Sequence, residues 1–186
     1  MQWTNSERGY GWLTIALHWI AAIGVVFMFA FGLQAEWLDE AGDEAGHRAF
    51  MAAHISLGIT LFVFFLARIV QHYVQKQPAP VSQSALLNRV AWVTHNALLL
   101  AILLLIVSGP LMIWSNARAI QVWDWFALPS PFAERNRGLH ELGEVMHAIG
   151  RYAIWVLVPL HVLAALKHLI FDRDGVFSRI FIAKGG

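Results

Sequence analysis

The sequence contains no cysteine, which excludes disulfide bonds, thiolate-held iron–sulfur clusters and covalently attached c-type haem. Charged residues are also scarce, at 13% of the chain, or about half their share in a typical soluble protein. No basic run accompanies the net charge of +1, so we expect no nucleic-acid partner. Any metal or cofactor must therefore be held by nitrogen or oxygen atoms, and the nine histidines are the candidates.

Hydrophobic residues make up 58% of the 186 residues, a composition that a lipid bilayer can solvate. The first twelve residues lack an apolar core with a small-residue cleavage site, so we expect no signal peptide. Segments of about 20 helical residues can cross the hydrocarbon layer, and none of the apolar segments shows the alternation of a membrane barrel. We predict an all-α integral membrane four-helix bundle, one domain over residues 1–186, with helices over residues 12–33, 49–70, 90–114 and 139–171.

The connections between these helices differ in character. An acidic loop is predicted over Gln34–Arg48, a polar loop over Gln71–Arg89 and a long Trp/Pro-rich loop over Ser115–Gly138. Ser108-Gly109-Pro110 is expected to kink the third helix.

The distribution of Lys and Arg predicts the orientation of the chain. One side carries Arg8, Arg68, Lys76, Arg89, Lys167, Arg173, Arg179 and Lys184. The other side carries Arg48, Arg118, Arg135, Arg137 and Arg151. Because cytoplasmic segments are richer in these residues, we expect a multi-pass protein with both termini in the cytoplasm.

Five histidines lie inside the apolar segments, where an ionisable residue is costly and indicates function: His18, His54, His95, His147 and His161. The predicted topology places His54 and His147 in the outer half of the bilayer and the other three in the inner half. His161 follows His147 by fourteen residues, which is about 21 Å along a helix and about 40° around its axis. One helix can therefore offer an axial ligand to each of two stacked haems.

The partners of these two histidines are not equally determined. In the outer half, His147 can pair only with His54. In the inner half, His161 can pair with His18 or with His95, and spacing does not decide between them. Two histidines on one iron suit electron transfer, because both axial positions are filled. Three alternatives to haem ligation were weighed. A single buried histidine more often forms a hydrogen bond to a neighbouring helix. A proton relay would need carboxylates inside the membrane, and a zinc site would need ligands beyond the histidine pair.

The remaining histidines lie at span ends or in loops. His47, His72 and His140 are interpreted as interfacial or solvated residues. His168 follows His161 by seven residues and is a candidate contact for a quinone or a haem propionate. Lys167, Arg68 and Arg89 could also pair with propionates, although basic side chains near span ends commonly reach to the interface.

Several segments resemble the bacterial cytochrome b561 family over essentially the whole chain: Tyr10-Gly11, Leu17-His18-Trp19, Ala53-His54-Ile55-Ser56-Leu57-Gly58, Leu160-His161-Val162-Leu163-Ala164-Ala165-Leu166-Lys167-His168, Arg173-Asp174-Gly175-Val176 and Arg179. The resemblance implies two haem b groups in a bacterial inner-membrane protein that reacts with quinone, ubiquinone being expected. It implies that His18 and His161 hold the inner haem and that His54 and His147 hold the outer haem. It leaves His95 a supporting role.

The resemblance extends to a superoxide oxidase that passes electrons from periplasmic superoxide to ubiquinone. His168 matches the first of two adjacent histidines in the family, but Leu169 replaces the second. This difference concerns the quinone site that the resemblance implies. Nine acidic residues against five arginines in the outer segments also do not favour an anionic substrate.

We therefore expect electron transfer between a periplasmic-side donor and the quinone pool, with superoxide as one candidate donor. Lipid, quinone and a small redox donor or a periplasmic redox subunit are the expected partners. The alternative is a cytochrome b that anchors a hydrogenase or another periplasmic dehydrogenase to the membrane. A third possibility is a haem-free transporter or structural protein, in which the histidines would have only structural roles.

Overall fold

A computed structural model describes residues 2–80 and 84–183, so Lys184 lies outside the described residues. Within these ranges the chain forms four long helices: α1 (Trp12–Glu40), α2 (Glu44–Val74), α3 (Ala85–Trp114) and α4 (Arg137–Lys167). A π-helix (His168–Asp172) continues α4, and a short 3-10 helix (Phe177–Ile180) follows it. Each long helix has the length and apolar composition needed to cross a membrane, which confirms the predicted all-α membrane four-helix bundle.

The helices are longer than the predicted spans, and the prediction of an acidic loop over Gln34–Arg48 was wrong for most of that range. Only residues 41–43 separate α1 from α2. Gly42 adopts a positive φ of 78° and ends α1, while the Asp43 carboxylate accepts a hydrogen bond from the Gly46 N–H at 2.9 Å. Apolar composition marks where hydrocarbon ends, but Glu and Ala continue a helix readily beyond it.

The segment between α3 and α4 contains a β-hairpin, which the sequence analysis did not predict. Strands β1 (Ile120–Val122) and β2 (Phe126–Leu128) pair antiparallel, with Ile120 opposite Leu128 and Val122 opposite Phe126. Ile120 and Val122 are 1% and 2% exposed, so this edge of the hairpin packs into the protein. Helix α3 itself stays helical through Pro110, where a kink was expected.

The chain divides into two compact units, and each long helix contributes residues to both. Unit 1 comprises Met1–Trp19, Leu66–Leu103 and Ile149–Gly186. Unit 2 comprises Ile20–Phe65 and Leu104–Ala148. His18, His95, His161 and His168 belong to unit 1, whereas His54, His147, His47 and His140 belong to unit 2.

A polar network fastens the N-terminal segment to α1 and α2 in unit 1. The buried Thr14 hydroxyl donates to the Asn5 Oδ1 at 2.6 Å and accepts from the Gln71 Nε2 at 2.6 Å. The Gly11 N–H also donates to Asn5 Oδ1. A Cβ at Gly11 would lie 2.5 Å from the backbone of Thr4, so only glycine permits this close approach.

Candidate functional site

His54 of α2 and His147 of α4 face each other in unit 2. Their ring centroids are 6.3 Å apart, and the ring planes meet at 67°. The His54 Nδ1 lies 2.8 Å from the Met28 carbonyl oxygen of α1. A carbonyl can only accept, so His54 carries its hydrogen on Nδ1 and its lone pair on Nε2.

A serine hydroxyl plays the corresponding part for His147. The Ser108 Oγ lies 3.0 Å from His147 Nδ1 and 3.3 Å from the Leu105 carbonyl oxygen. The Ser108 hydroxyl can donate to the Leu105 carbonyl and at the same time accept from a His147 Nδ1–H, the arrangement that a metal-binding Nε2 requires. With these partners on Nδ1, Nε2 is the atom through which each ring would bind a metal, since a partner on the second nitrogen orients metal-bound histidine.

Three histidines meet in unit 1. The ring centroids of His18 (α1) and His161 (α4) are 6.3 Å apart, with an interplanar angle of 55°. His95 (α3) is nearer to His161, at 5.3 Å and 71°. Trp19 packs edge-on against His18 with a centroid distance of 5.4 Å.

The distance between ring centroids tests whether an iron fits between two rings. A first-row metal holds an imidazole nitrogen at about 2.0–2.1 Å, and that nitrogen lies roughly 1.1 Å from its ring centre, so opposite axial ligands have centroids about 6.3 Å apart. His18–His161 and His54–His147 both meet this value, whereas His95–His161 is too short. The separations are therefore compatible with one iron between His18 and His161 and another between His54 and His147, and they favour His18 over His95 as the partner of His161. Ligation by these four residues stays a prediction.

A positive charge accompanies the unit 1 histidines. The Arg68 guanidinium of α2 lies within electrostatic range of His18, His95 and His161. Its Nη1 donates to the Gln71 Oε1 at 3.1 Å, which joins it to the buried Thr14 network. Arg68 is thus held inside unit 1. From the sequence, its side chain was expected either to contact a haem propionate or to reach to the membrane interface.

His168 belongs to an ion-pair cluster at the end of α4. Its Nδ1 lies 2.7 Å from Asp174 Oδ2 and 3.2 Å from Asp172 Oδ2, and Lys167 Nζ bonds both oxygens of Asp172. Burial raises the pKa of Asp174, but hydrogen bonds from the Val176 N–H and from His168 outweigh it and lower the pKa overall. Among the described residues this trio is the one metal-ligand grouping found, and Lys167 already neutralises one of its carboxylates.

Two of the remaining histidines have partners of their own in unit 2. His140 Nδ1 lies 3.0 Å from the Met112 carbonyl oxygen, and its Nε2 lies 3.4 Å from Glu144 Oε1. His47 Nδ1 lies 3.0 Å from the Ala35 carbonyl oxygen. Such hydrogen-bonded partners are typical of structural histidines.

The orienting groups, Ser108 and the Met28 carbonyl, were missed by sequence reasoning. A serine inside an otherwise apolar span was the available signal, because a buried hydroxyl needs a partner. Ser108 is fully buried. A backbone carbonyl such as that of Met28 leaves no mark on the sequence.

Comparison with known proteins identifies relatives along nearly the whole chain. Residues 9–182 match the family described as prokaryotic cytochrome b561. The chain is also similar to cytochrome b561 homolog 2 of Escherichia coli (strain K12), with 31% identity over 183 residues, covering 97% of this chain and 95% of that protein.

Proposed function

Because the chain belongs to the prokaryotic cytochrome b561 family, we propose that it is a di-haem b cytochrome that carries electrons across the membrane between a periplasmic-side donor and the quinone pool. The observation that carries the proposal is the pair of matched ring separations, His18–His161 and His54–His147, both at 6.3 Å. Each pair lies within one compact unit and joins α4 to a different helix.

Haem b held by two histidines would supply one-electron transfer. His18 and His161 would hold one haem, and His54 and His147 the other. The Met28 carbonyl and the Ser108 hydroxyl would keep the second pair turned toward the iron by fixing the hydrogen on Nδ1.

The proposal is tested with purified protein in liposomes that contain trapped ferricyanide and receive a membrane-impermeant reductant outside. We expect protein-dependent reduction of the ferricyanide, and loss of that activity in His54→Ala and in His161→Ala. His140→Ala is the matched control and should retain it. Equal rates with and without protein would overturn the proposal, whereas activity of the isolated chain would count against the membrane-anchor alternative.

His168 is proposed to serve the quinone. Reduction of a quinone to a quinol takes up two electrons and two protons, so its site needs a group that can deliver protons. When both ring nitrogens of His168 carry a hydrogen, Nδ1–H donates to the Asp174 carboxylate and Nε2–H would donate to a quinone oxygen. His168→Gln and Asp174→Asn should slow ubiquinol formation without changing haem content; unchanged rates in both variants would remove His168 from the site.

Superoxide is the candidate donor that the family resemblance suggests. Two superoxide anions would each lose one electron to give two O₂, and one ubiquinone would gain both electrons and two protons. The surface charge argues in the opposite direction, because Arg48 and Arg137 are paired with Glu44 and Glu141 at 3.0 Å.

The donor can be assigned by supplying superoxide enzymatically to liposomes that contain the protein and ubiquinone. Ubiquinol formation that is abolished by an added superoxide dismutase would support superoxide as the donor. Absence of ubiquinol, in protein that a chemical reductant can still reduce, would exclude superoxide and leave the electron-transfer proposal intact.

A further inference from the structure

A chain of hydrogen bonds runs from the segment before α1 to the Arg68 guanidinium. The Gly11 N–H and the Thr14 hydroxyl both donate to the Asn5 Oδ1, at 3.0 and 2.6 Å. The Gln71 Nε2 donates to the Thr14 Oγ1 at 2.6 Å, and the Arg68 Nη1 donates to the Gln71 Oε1 at 3.1 Å. All five residues belong to unit 1, and Thr14 and Gln71 are buried.

Both ends of this chain can only donate, which fixes the direction of every bond in it. The Gly11 backbone N–H needs an acceptor, so the Asn5 side chain turns its oxygen, not its nitrogen, toward Gly11 and Thr14. The Thr14 hydroxyl therefore donates to Asn5 and keeps its oxygen as the acceptor for the Gln71 Nε2. As a result, the Gln71 Oε1 is turned toward Arg68, whose guanidinium carries only donors.

Thr14 also lies close to a candidate haem ligand on its own helix. It precedes His18 by four residues in α1, so the two side chains lie on the same face, about 6 Å apart along the axis. The Arg68 guanidinium lies within electrostatic range of His18 and of His161. One face of α1 thus presents both a candidate ligand and the hydroxyl that begins the hydrogen-bonded path to the nearby positive charge.

The hydroxyl matters because a buried charge without hydrogen-bond partners is costly. Without it, the Gln71 Nε2 loses its acceptor, and the amide can turn its NH₂ group toward Arg68. Two donors would then face each other, and the Arg68 side chain would leave its position beside the histidines. Removal of one neutral hydroxyl would therefore change the electrostatic surroundings of His18 and His161 while every charged residue stays in the sequence.

We propose that Thr14 is a positioning residue for electron transfer. By orienting Gln71, its hydroxyl holds the Arg68 charge in place. That charge maintains the reduction potential of the haem between His18 and His161, because a nearby positive charge favours the reduced form. The inference rests on the proposed function, since it requires a haem at this pair, and it adds a link from the N-terminal segment to the electron carrier.

The test compares Thr14→Val, which keeps the shape of the side chain but removes the hydroxyl, with Thr14→Ser, which keeps the hydroxyl. Each substitution is made in the full-length protein and again in the Arg68→Gln variant. Haem content is measured first, and the two haem potentials are then determined by spectroelectrochemical titration. Thr60→Val is the matched control, since Thr60 is a helical threonine of unit 2 whose hydroxyl accepts from the Trp123 indole N–H.

We expect Thr14→Val to retain two haems per chain and to lower the same potential that Arg68→Gln lowers, by a smaller shift. Thr14→Ser and Thr60→Val should leave that potential unchanged. In the Arg68→Gln variant, Thr14→Val should produce no further shift, because the charge on which it acts is gone. Equal shifts with and without Arg68 would overturn the proposal, since the hydroxyl would then act on the haem by another route.

Amide hydrogen exchange in residues 2–11 provides a readout that needs no haem. Exchange there should be severalfold faster in Thr14→Val but not in Thr14→Ser, because the bond to Asn5 is lost only in the first. If Thr14→Val does not fold, Gln71→Met, which removes both bonds of the amide, is measured in its place, with the same expected fall in potential.

The outcomes separate this inference from the function on which it rests. Two haems per chain with unchanged potentials, whether or not exchange becomes faster, would overturn the positioning role of Thr14 and leave the di-haem proposal intact. An unaltered protein without haem would instead contradict the proposed function, and the inference with it.

Discussion

The two histidine pairs have the same ring separation, 6.3 Å, but different surroundings. In unit 2, His54 and His147 are each oriented by a neutral acceptor on a neighbouring helix, the Met28 carbonyl and the Ser108 hydroxyl. In unit 1, His18 and His161 share their surroundings with a third histidine and with the Arg68 guanidinium. The same ring separation is therefore accompanied by hydrogen-bonded orientation in unit 2 and by a nearby positive charge in unit 1.

This difference has a consequence for electron transfer. A fixed positive charge favours the reduced, less positive form of a nearby redox centre and therefore raises its reduction potential. We expect the haem held by His18 and His161 to have the higher potential of the two. Electrons would then move from the His54–His147 site toward the His18–His161 site, the direction required of a donor on the outer side and a quinone served by His168.

The largest expected effect is loss of one haem when a ligand is removed. His54→Ala or His147→Ala should reduce haem content from two to one per chain, because an iron with one remaining axial histidine is held weakly. His140→Ala is the control, since His140 bonds Met112 and Glu144 rather than facing another ring. Pyridine haemochrome assays of purified variants measure the content; two haems in either ligand variant would refute the assigned pair.

A smaller effect is expected from the serine that orients His147. Removing an orienting partner commonly weakens metal binding about 10–100-fold, so Ser108→Ala should accelerate haem transfer to apomyoglobin by a similar factor. Ser115→Ala is a matched control, because Ser115, directly after the end of α3, is also a buried serine that bonds a preceding carbonyl and contacts a histidine, His140. Equal release rates in the two variants would show that Ser108 does not support a ligand.

The charge difference between the units is tested by Arg68→Gln. A partly buried charge contributes about 1–2 kcal/mol to a neighbouring centre, so one potential should fall by roughly 40–90 mV. The other potential should stay nearly constant. Arg48→Gln removes an exposed arginine from unit 2 and should shift neither. Spectroelectrochemical titration resolves the two potentials, and a rise after Arg68→Gln would contradict the proposed role of the charge.

The smallest effect on haem content is expected at His95. Its centroid lies 5.3 Å from His161, too close for the two rings to hold one iron from opposite sides. His95→Ala should therefore keep two haems per chain, with at most a modest change in the potential of one. Retention of a single haem would mean that His95, not His18, pairs with His161.

The sequence predicted the four long apolar helices and the division of the five histidines into two groups, because long apolar runs and rare ionisable residues are strong signals in a membrane protein. It could not decide between His18 and His95, since both lie at the same depth and the choice depends on how α1 and α3 face α4. Helix ends were underestimated because Trp37 and Glu40 lie outside the apolar run yet remain helical.

Other features depended on contacts between distant residues. The hairpin was missed because its strands have three residues each, too few to show an alternating pattern. Its anchors, Ser56 and Thr60, lie more than sixty residues away in α2. Such contacts carry no local sequence signal, whereas the spacing of His147 and His161 on one helix does.

The central claim, that the two histidine pairs hold two haems, is tested most directly by haem quantification in the unaltered protein. Dithionite-reduced minus oxidised spectra of detergent-purified protein, combined with a pyridine haemochrome assay, measure both haem type and haem content per chain. We predict a sharp b-type α-band and two haems per chain. One haem per chain would leave one of the pairs without its proposed function, and well-folded protein without haem would contradict the account as a whole.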